Sequence, residues 1–488
     1  MYQKLIFDLS KPERRGHFLP ECDVPELDTD KLIEKKYLRS ELPQLPEVAE
    51  NEVVRHYIAL STLNHHVDKA FYPLGSCTMK YNPKINEKLA SSPQFAQLHP
   101  DQRDENVQGA LQILYELQEY LKAITGMTAV TLQPAAGSQG ELVGLLLMQQ
   151  YHKKKGEKRN TILIPDSAHG TNPASAIIAG FKTETLRSNH NGLLDLEDLK
   201  AKISPDVAGF MLTNPNTLGV FEHQVKEIKG ILESVDAMFY MDGANMNALF
   251  GIVRPGDMGF YVMHLNLHKS FSTPHGGGGP GTGPVAVNDK LARFLPEPVV
   301  RYYGSKYYME KGGPDSMGRV HSFYGNFGLL LRAYVYIRMV GATGFRQVSE
   351  HAIINANYLY ARLKDHYDLG YDSQPMHEFV ISAEKQKNKG ARALDIAKRL
   401  LDFGVHPPTV YFPMIVKEAM MMEPTETESK EMLDYFADAM IQIDKEITEN
   451  LDMLLSAPHN TPVKRLDEVG AARNIDVNYF KKSKGSEL

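Results

Sequence analysis

Between Thr161 and Met241 the chain alternates short apolar runs with helical stretches, and this alternation restricts its fold more than any other feature. Thr161-Ile-Leu-Ile-Pro165, a run near 181 to 187, Val207 to Thr213 and Ala237 to Met241 read as strands, with helices expected near 173 to 180, 195 to 202 and 223 to 234. Apolar strands that each hand over to a helix imply crossover units, and crossovers lay strands side by side in a mostly parallel sheet covered on both faces. The predicted class is therefore α/β. Ligands gather at the carboxyl edge of such sheets, so chemistry-bearing residues just beyond the strands carry weight. Asp166-Ser-Ala-His-Gly-Thr-Asn172 offers the imidazole of His169 at one strand end, and Thr213-Asn-Pro-Asn-Thr-Leu-Gly-Val220 offers amides and the Thr217 hydroxyl at another.

A strand-like approach, Phe260-Tyr-Val-Met-His-Leu, leads into Asn266-Leu-His-Lys-Ser-Phe-Ser-Thr-Pro-His275, then the glycine run Gly276 to Gly279, Pro280, Gly281 and Gly283. A lysine between a strand end and a glycine-rich turn can hold its amine at a fixed point while other groups come close, since backbone without Cβ admits a ligand. An imine-forming lysine needs that, although a solvated lysine beside a mobile loop accounts for the same residues. Asp242, 27 positions before Lys269 (269 minus 242), favours the first reading. A buried strand ending in Asp, followed by Gly and Ala, puts a carboxylate at the sheet's ligand edge. In pyridoxal-phosphate enzymes such a carboxylate keeps the pyridine nitrogen protonated, so that the ring draws off a carbanion's electrons. A cofactor site is the expectation, with His169 as a flat group stacked on the ring.

Two further segments fit that site. Tyr72-Pro-Leu-Gly-Ser-Cys-Thr-Met-Lys-Tyr-Asn-Pro83 is rich in turns and crowds Ser76, Cys77, Thr78, Lys80 and Asn82 together. The prolines suit a structural loop; the density of donors favours the wall of an active site. Gln133-Pro-Ala-Ala-Gly-Ser-Gln-Gly-Glu141 opens a strongly apolar helix, where Ser138 and Glu141 have capping-box spacing. Equally, the free N–H groups of Gly137, Ser138 and Gln139 suit a phosphate at the positive helix end. With Lys269 and Asp242 downstream, phosphate is favoured.

Residues 1 to about 50 lack lasting periodicity and read as an extended arm; 51 to 70 look helical, and leucines at 111, 114, 117 and 121 mark one helix face. A glycine-rich passage from Gly312 to Gly328 precedes a long helical stretch, Leu329 to about Leu363, interrupted by glycine at 341 to 344. Beyond it come a strand at Phe379 to Ala383, a helix at Ala391 to Phe403, a strand at Thr409 to Phe412 and a helical stretch from about Glu428 to Leu455. Three regions follow: 1–100, arm and active-site wall; 101–325, the large cofactor-binding domain; 326–488, a smaller C-terminal α+β domain and tail. With 488 residues, 42% of them apolar and 23% charged, the composition is that of a soluble globular protein. The net charge of 54 minus 60, or −6, and the lack of a basic stripe argue against nucleic acid; the lysines at 153 to 155 and at 481, 482 and 484 read as a helix end and a solvated tail. Two cysteines, Cys22 and Cys77, without a CxxC support a reducing cytoplasm and no metal site. No run approaches the roughly 18 apolar residues of a membrane span, and the N-terminus is too charged for a signal peptide.

Lys269 with His268 before it and His275-Gly-Gly-Gly-Gly-Pro-Gly after it, together with Pro73-Leu-Gly-Ser-Cys-Thr-Met-Lys80, closely resembles the glycine-cleavage P-protein family, the decarboxylating glycine dehydrogenases. The resemblance runs over essentially the whole chain, and the length of one pyridoxal domain is similar to the second subunit of the split, two-subunit form. It implies fold type I, the aspartate-aminotransferase-like architecture. Lys269 would be the Schiff-base lysine, Asp242 the partner of the pyridine nitrogen and His169 the stacking group. Gly137, Ser138 and Gln139 would cup the phosphate of pyridoxal 5'-phosphate, with Thr217 and His268 also against the cofactor. Ser76 and Lys80 are candidates to hold the substrate carboxylate. The implied reaction is decarboxylation of glycine and transfer of the aminomethyl group to the lipoyl arm of H-protein. The implied assembly is a heterotetramer with two copies of this chain and two of a homologous first subunit.

Three rivals remain at this level. Another fold type I enzyme, a transaminase, aldolase or desulfurase, shares lysine and fold. A non-catalytic scaffold subunit would have no reason to keep Lys269, Asp242 and His169 together. A nucleotide-binding loop is disfavoured because Lys269 precedes the glycines instead of closing them.

Overall fold

The computed structural model describes residues 4–16, 18, 20–276, 281–371 and 373–480. Residues 277–279 of the glycine run with Pro280, and the lysines at 481, 482 and 484, lie outside that set. By its contacts the chain divides into one unit, Val67–Thr461, and another made of the two ends, Met1–His66 with Pro462–Leu488. In the terminal unit the arm carries only short helical turns, Ile6–Leu9 and Thr29–Leu32, before the helix Glu50–Thr62, which stops earlier than the helical pattern of 51 to 70 suggests. Phe7 stacks on Tyr479 there with ring centroids 4.6 Å apart.

The larger unit is built on a seven-stranded sheet. Its strands are β1 (Ala129–Thr131), β2 (Thr161–Pro165), β3 (Lys182–Leu186), β4 (Val207–Thr213), β5 (Met238–Gly243), β6 (Val262–Leu265) and β7 (Val285–Val287). They stand in the order β1-β7-β6-β5-β4-β2-β3, with β2 to β6 parallel and β7 antiparallel to both its neighbours. Met238 to Gly243 are all buried, as a strand covered on both faces must be. The edge strand β3 instead exposes Lys182 and Glu184, charges that discourage further pairing. Register then sets the site: Thr213 pairs with Asp242, and Asp242 with His264, so polar residues from three neighbouring strand ends stand side by side.

Helix Gln108–Thr125 buries Leu111, Leu114, Leu117 and Leu121 on one face and ends at Gly126 with φ 70°. The hairpin β8 (Val299–Tyr303) and β9 (Lys306–Glu310) packs near it and is not apparent in the sequence pattern. Helix Phe327–Leu363 is broken at Gly341, whose φ of 69° and ψ of 172° no helix contains. The C-terminal sheet runs β10-β11-β13-β12, all antiparallel: β10 (Asp368–Leu369), β11 (Phe379–Ser382), β12 (Thr409–Val410) and β13 (Ala419–Met422). One face, with Phe379, Ile381, Met420 and Met422, packs on helices Ala393–Asp402 and Lys430–Glu449. The other, with Val380 and Met421, packs on Leu193, Leu218 and Val220 beyond the strands of the large sheet. Burial on both faces explains why β13, Ala-Met-Met-Met, has no alternating pattern and was not predictable as a strand.

The turn-rich segment 72–80 is strapped to β13. Leu74 bridges Met422, the Gly75 N–H donates to the Met421 carbonyl at 3.2 Å, and the Glu423 N–H donates to the Pro73 carbonyl at 3.2 Å. Contact is so close that a Cβ at Gly75 would lie 2.4 Å from Met421 Cγ and 2.7 Å from its carbonyl carbon. Gly75→Ala is therefore expected to cost about 1–3 kcal/mol, the usual range for overpacking, and to lower the midpoint of thermal unfolding. A melt matching the parent would mean that β13 does not hold the strap.

Candidate active site

A cavity of about 350 Å³ opens at the carboxyl edge of the large sheet, and Ser76, Gly137, Ser138, His169, Thr217, Asp242, His268 and Lys269 all line it. Lys269 sits in the turn after β6, where its N–H donates to the Asn266 carbonyl at 3.0 Å. The turn is pinned on both sides: Met246 N–H donates to Ser270 Oγ at 2.7 Å, and Ser272 Oγ donates to the Tyr81 carbonyl at 2.8 Å. Among the described residues no carboxylate forms an ion pair with the Lys269 amine. Its charge nonetheless bears on the surrounding groups. His169, His268, His275 and His377 are all pushed below the ordinary imidazole value, first by burial, with the lysine adding to it; His268 falls to about 3.

Asp242 is the penultimate residue of β5 and is 4% exposed. Burial alone would raise its carboxyl, but the His264 ring, the Asn172 amide, the Ala244 N–H and the Lys269 charge together hold it below the ordinary range. Asn172 Nδ2 donates to Oδ2 at 2.9 Å, Ala244 N–H donates to Oδ1 at 3.0 Å, and His264 Nε2 stands 3.4 Å from Oδ1. His264 is itself oriented by the Tyr240 hydroxyl, 2.9 Å from Nδ1. His169 is held differently. The Thr171 Oγ1 and N–H both lie against its Nδ1, at 2.8 and 3.2 Å, and Thr171 Oγ1 donates onward to Glu141 at 2.9 Å.

Helix Gly137–Lys154 begins at the cavity with Ala136 as its N-cap. Ser138 is thus inside the helix and Glu141 points to Thr171 and Ser175, so the capping box read from their spacing does not form. The first-turn N–H groups of Gly137, Ser138 and Gln139 have no backbone acceptor among the described residues, as the start of an α-helix leaves them. The Gln139 side chain, however, is turned away: it accepts from Ala135 N–H and donates to the Val320 carbonyl at 2.9 Å, and only its backbone remains a candidate for an anion. Lys80 also departs from expectation. It is buried away from the cavity, with Nζ 2.8 Å from Glu426 Oε1 and 3.1 Å from the Tyr336 hydroxyl. Burial opposes its charge, yet Glu426 and Tyr336 outweigh it and hold the ammonium above its ordinary value.

Several wall residues escape sequence reasoning. Glu141, Thr213, Asn245, Asn266, His275 and Glu378 line the cavity, and Thr213 Oγ1, Asn266 Oδ1 and His275 Nε2 are buried polar atoms without a partner among the described residues. Native proteins seldom leave such atoms unpaired, so the wall is built for a polar occupant. The strand-end position of Thr213 and the His275 of the lysine segment carried some signal; Glu378 carried none, being an isolated acid before a short strand.

The fold matches an inhibitor-bound crystal structure of glycine decarboxylase (P-protein) of the glycine cleavage system, with a TM-score of 0.73 and 20% identity over 85% of this chain and 94% of that one. It also matches glutamate decarboxylase of Lactobacillus brevis, with a TM-score of 0.64 and 14% identity over 91% and 98%. Architecture and neighbours define the fold as fold type I. Within that class the chain belongs to the glycine cleavage system P-protein family, whose model matches residues 24–303, while the glycine dehydrogenase C-terminal domain matches 348–464. A protein of Chloroherpeton thalassium named probable glycine dehydrogenase (decarboxylating) subunit 2 is 59% identical over 488 residues, 99% of each chain.

Among the described residues no helix is long and apolar enough to cross a membrane. The Lys80–Glu426 pair carries its own prediction. Lys80→Met would leave a buried carboxylate without its cation, at a cost of about 3–5 kcal/mol, while leaving the cavity wall intact. Thermal unfolding should shift down. A variant as stable as the parent would remove the structural role and return Lys80 to the candidates for the cavity.

Proposed function

We propose that this chain, with pyridoxal phosphate in the cavity, decarboxylates glycine and passes the remaining aminomethyl group to the lipoyl arm of H-protein. The observation that carries the reading is the meeting in one cavity, in a chain of the P-protein family, of Lys269, an amine with no ion pair among the described residues, and Asp242, a buried carboxylate kept ionised. The unpartnered polar atoms of Thr213, Asn266 and His275 and the open N–H groups at Gly137 and Ser138 fit a polar, phosphorylated occupant. The cofactor supplies an electron sink for the pair left on Cα when carbon dioxide departs.

What remains falls to the chain's own groups. Lys269 would hold the cofactor and give way to the glycine amine. Asp242, pressed below its ordinary range, stays ionised at neutral pH and would keep a proton on the pyridine nitrogen. His169, neutral and held at Nδ1, presents a flat ring without adding charge beside Lys269. The start of helix Gly137–Lys154 carries about half a positive charge, which suits a phosphate. Ser76 and Thr217 stand on the wall where they could meet substrate and cofactor. The names of the relatives support assigning the chain as the second subunit of a two-subunit enzyme, with a homologous first subunit as partner. We assign the assembly as a heterotetramer of two copies of each, in the cytoplasm.

Carboxyl-labelled glycine tests the function. With the sister subunit, pyridoxal phosphate and lipoylated H-protein, labelled carbon dioxide should be released, and Asp242→Asn should cut that release by about 100-fold or more, the scale on which removing one preorganised electrostatic group acts, while the cofactor stays bound. Transfer of the amino group to a keto acid without carbon dioxide release would refute the reading; near-normal turnover by Asp242→Asn would remove the role given to Asp242.

A further inference from the structure

Three acids line the cavity, and they differ in how their charge is supported. Asp242 accepts from Asn172 and Ala244, and Glu141 accepts from Thr171 and Ser175, each at 2.9–3.0 Å. Glu378, 5% exposed, accepts a single hydrogen bond among the described residues, from the Ser76 N–H to Oε2 at 2.9 Å. An ionised carboxylate has room for about four donors, so one N–H is poor support for a buried charge.

Strand register brings a second acid beside Glu378. Phe379 of β11 pairs with Met422 of β13, which brings the next residue on each strand, Glu378 and Glu423, to the same end of the pair. Glu423 takes the available donors: the Thr78 N–H at 2.9 Å, Thr78 Oγ1 at 2.8 Å, Asn245 Nδ2 at 2.7 Å and Asn247 Nδ2 at 3.1 Å. Between them stands His377, 1% exposed, with both ring nitrogens unpartnered among the described residues and Nε2 3.8 Å from Glu378 Oε1 and 4.0 Å from Glu423 Oε1. Two carboxyls so placed do not both ionise in a buried setting, and the one with fewer donors keeps the proton.

We infer that Glu378 is a catalytic acid of this site, the donor of the proton taken up by the lipoyl sulfur that leaves when the disulfide opens. The inference rests on the function proposed above. In that step the electron pair freed at Cα by loss of carbon dioxide forms the C–S bond. The S–S bond breaks, its pair stays on the second sulfur, and that sulfur takes the Glu378 proton and becomes a thiol. The balance closes without an outside reagent: glycine enters as an ammonium and its nitrogen leaves as a neutral amine, and the proton it surrenders restores Glu378. A thiolate expelled into a buried wall is a poor leaving group, and the rate of such exchange depends on how readily that sulfur leaves.

The groups facing Glu378 set the pH dependence. Burial raises its carboxyl well above the ordinary range and the Glu423 charge raises it further, while the Ser76 N–H and the Lys269 charge oppose them. His377 is held neutral by burial, and the Cys77 thiol, also on the wall, is pushed up by burial, so neither adds a charge that would ionise Glu378. Since the protonated form is the active one, transfer should slow as pH rises through the raised pKa.

The test uses the full assembly with sister subunit, pyridoxal phosphate and lipoylated H-protein, in a single turnover with labelled glycine. Label arriving on H-protein reports transfer; the change in absorption on adding glycine without H-protein reports the steps before it. Glu378→Gln keeps the shape and the acceptor for Ser76. It should keep the glycine response, slow transfer by about 100-fold or more as expected for loss of a general acid, and lose the decline at basic pH. Transfer within about threefold of the parent, well below the effect of a general acid, overturns the inference, as does an unchanged basic decline. Should Glu378→Gln fail to fold, Glu378→Asp decides: it keeps an acid at altered reach, so the basic decline must move, and an unmoved decline overturns the role. A parent assembly that transfers nothing would overturn the proposed function as well. A parent that transfers, with variants that match it, overturns Glu378 alone.

Discussion

The burial of Asp242 at the end of a parallel strand is the constraint on which the site depends. Taking a carboxylate out of water costs several kcal/mol even after relaxation, and the structure meets that cost with groups from three directions. Asn172 reaches it from the helix Thr171–Ile178, Ala244 from the chain just beyond β5, and His264 from β6 next door. Two donors and one neighbouring ring support the charge, so helix, strand register and turn are tied to one atom pair. The same helix places Thr171 between His169 and Glu141. A slip of β6 by one residue would turn His264 to the other face of the sheet and leave the carboxylate short of its neighbouring ring.

The second half of the wall comes from far away in sequence. The strap 73–78 lies along β13, and Ser76 and Thr78 adopt φ of 64° and 53°, a conformation that side chains with Cβ seldom take. Such strain persists only where the surroundings over-determine it, and here the N–H groups it turns inward are the ones that Glu378 and Glu423 accept. The C-terminal sheet thus does more than cover the large domain. It brings two acids to the cavity side, one supported by many donors and one by few.

How much of this could be read from residues alone follows from the range of each signal. Crossover units announce themselves within a few residues through apolar runs and helical spacing, so β2 to β5 and the helices between them appear within a residue or two of their expected places. Asp242, His169 and Lys269 were legible because each lies just past such a run. Glu378 and Glu423 were not, since their meeting depends on the antiparallel pairing of β11 with β13, and β13 is a four-residue methionine-rich strand buried on both faces. Lys80 misled because proximity to Ser76 along the chain says nothing about direction; with left-handed Thr78 between them, Lys80 enters the interior and pairs with Glu426. Gln139 misled in a smaller way, its backbone facing the cavity while its amide holds the loop at Ala135 and Val320.

Lys269, as the residue that would carry pyridoxal phosphate, is the point on which the proposed chemistry turns. At neutral pH only about one free lysine amine in 2,500 is unprotonated, given a pKa near 10.4, so selective reaction at one lysine reports a built site. Borohydride reduction of the chain loaded with pyridoxal phosphate, followed by a peptide map, measures this directly. The reduced cofactor should be found on the peptide holding Asn266 to His275, at Lys269. Finding it on any other lysine, or on none, would contradict the account.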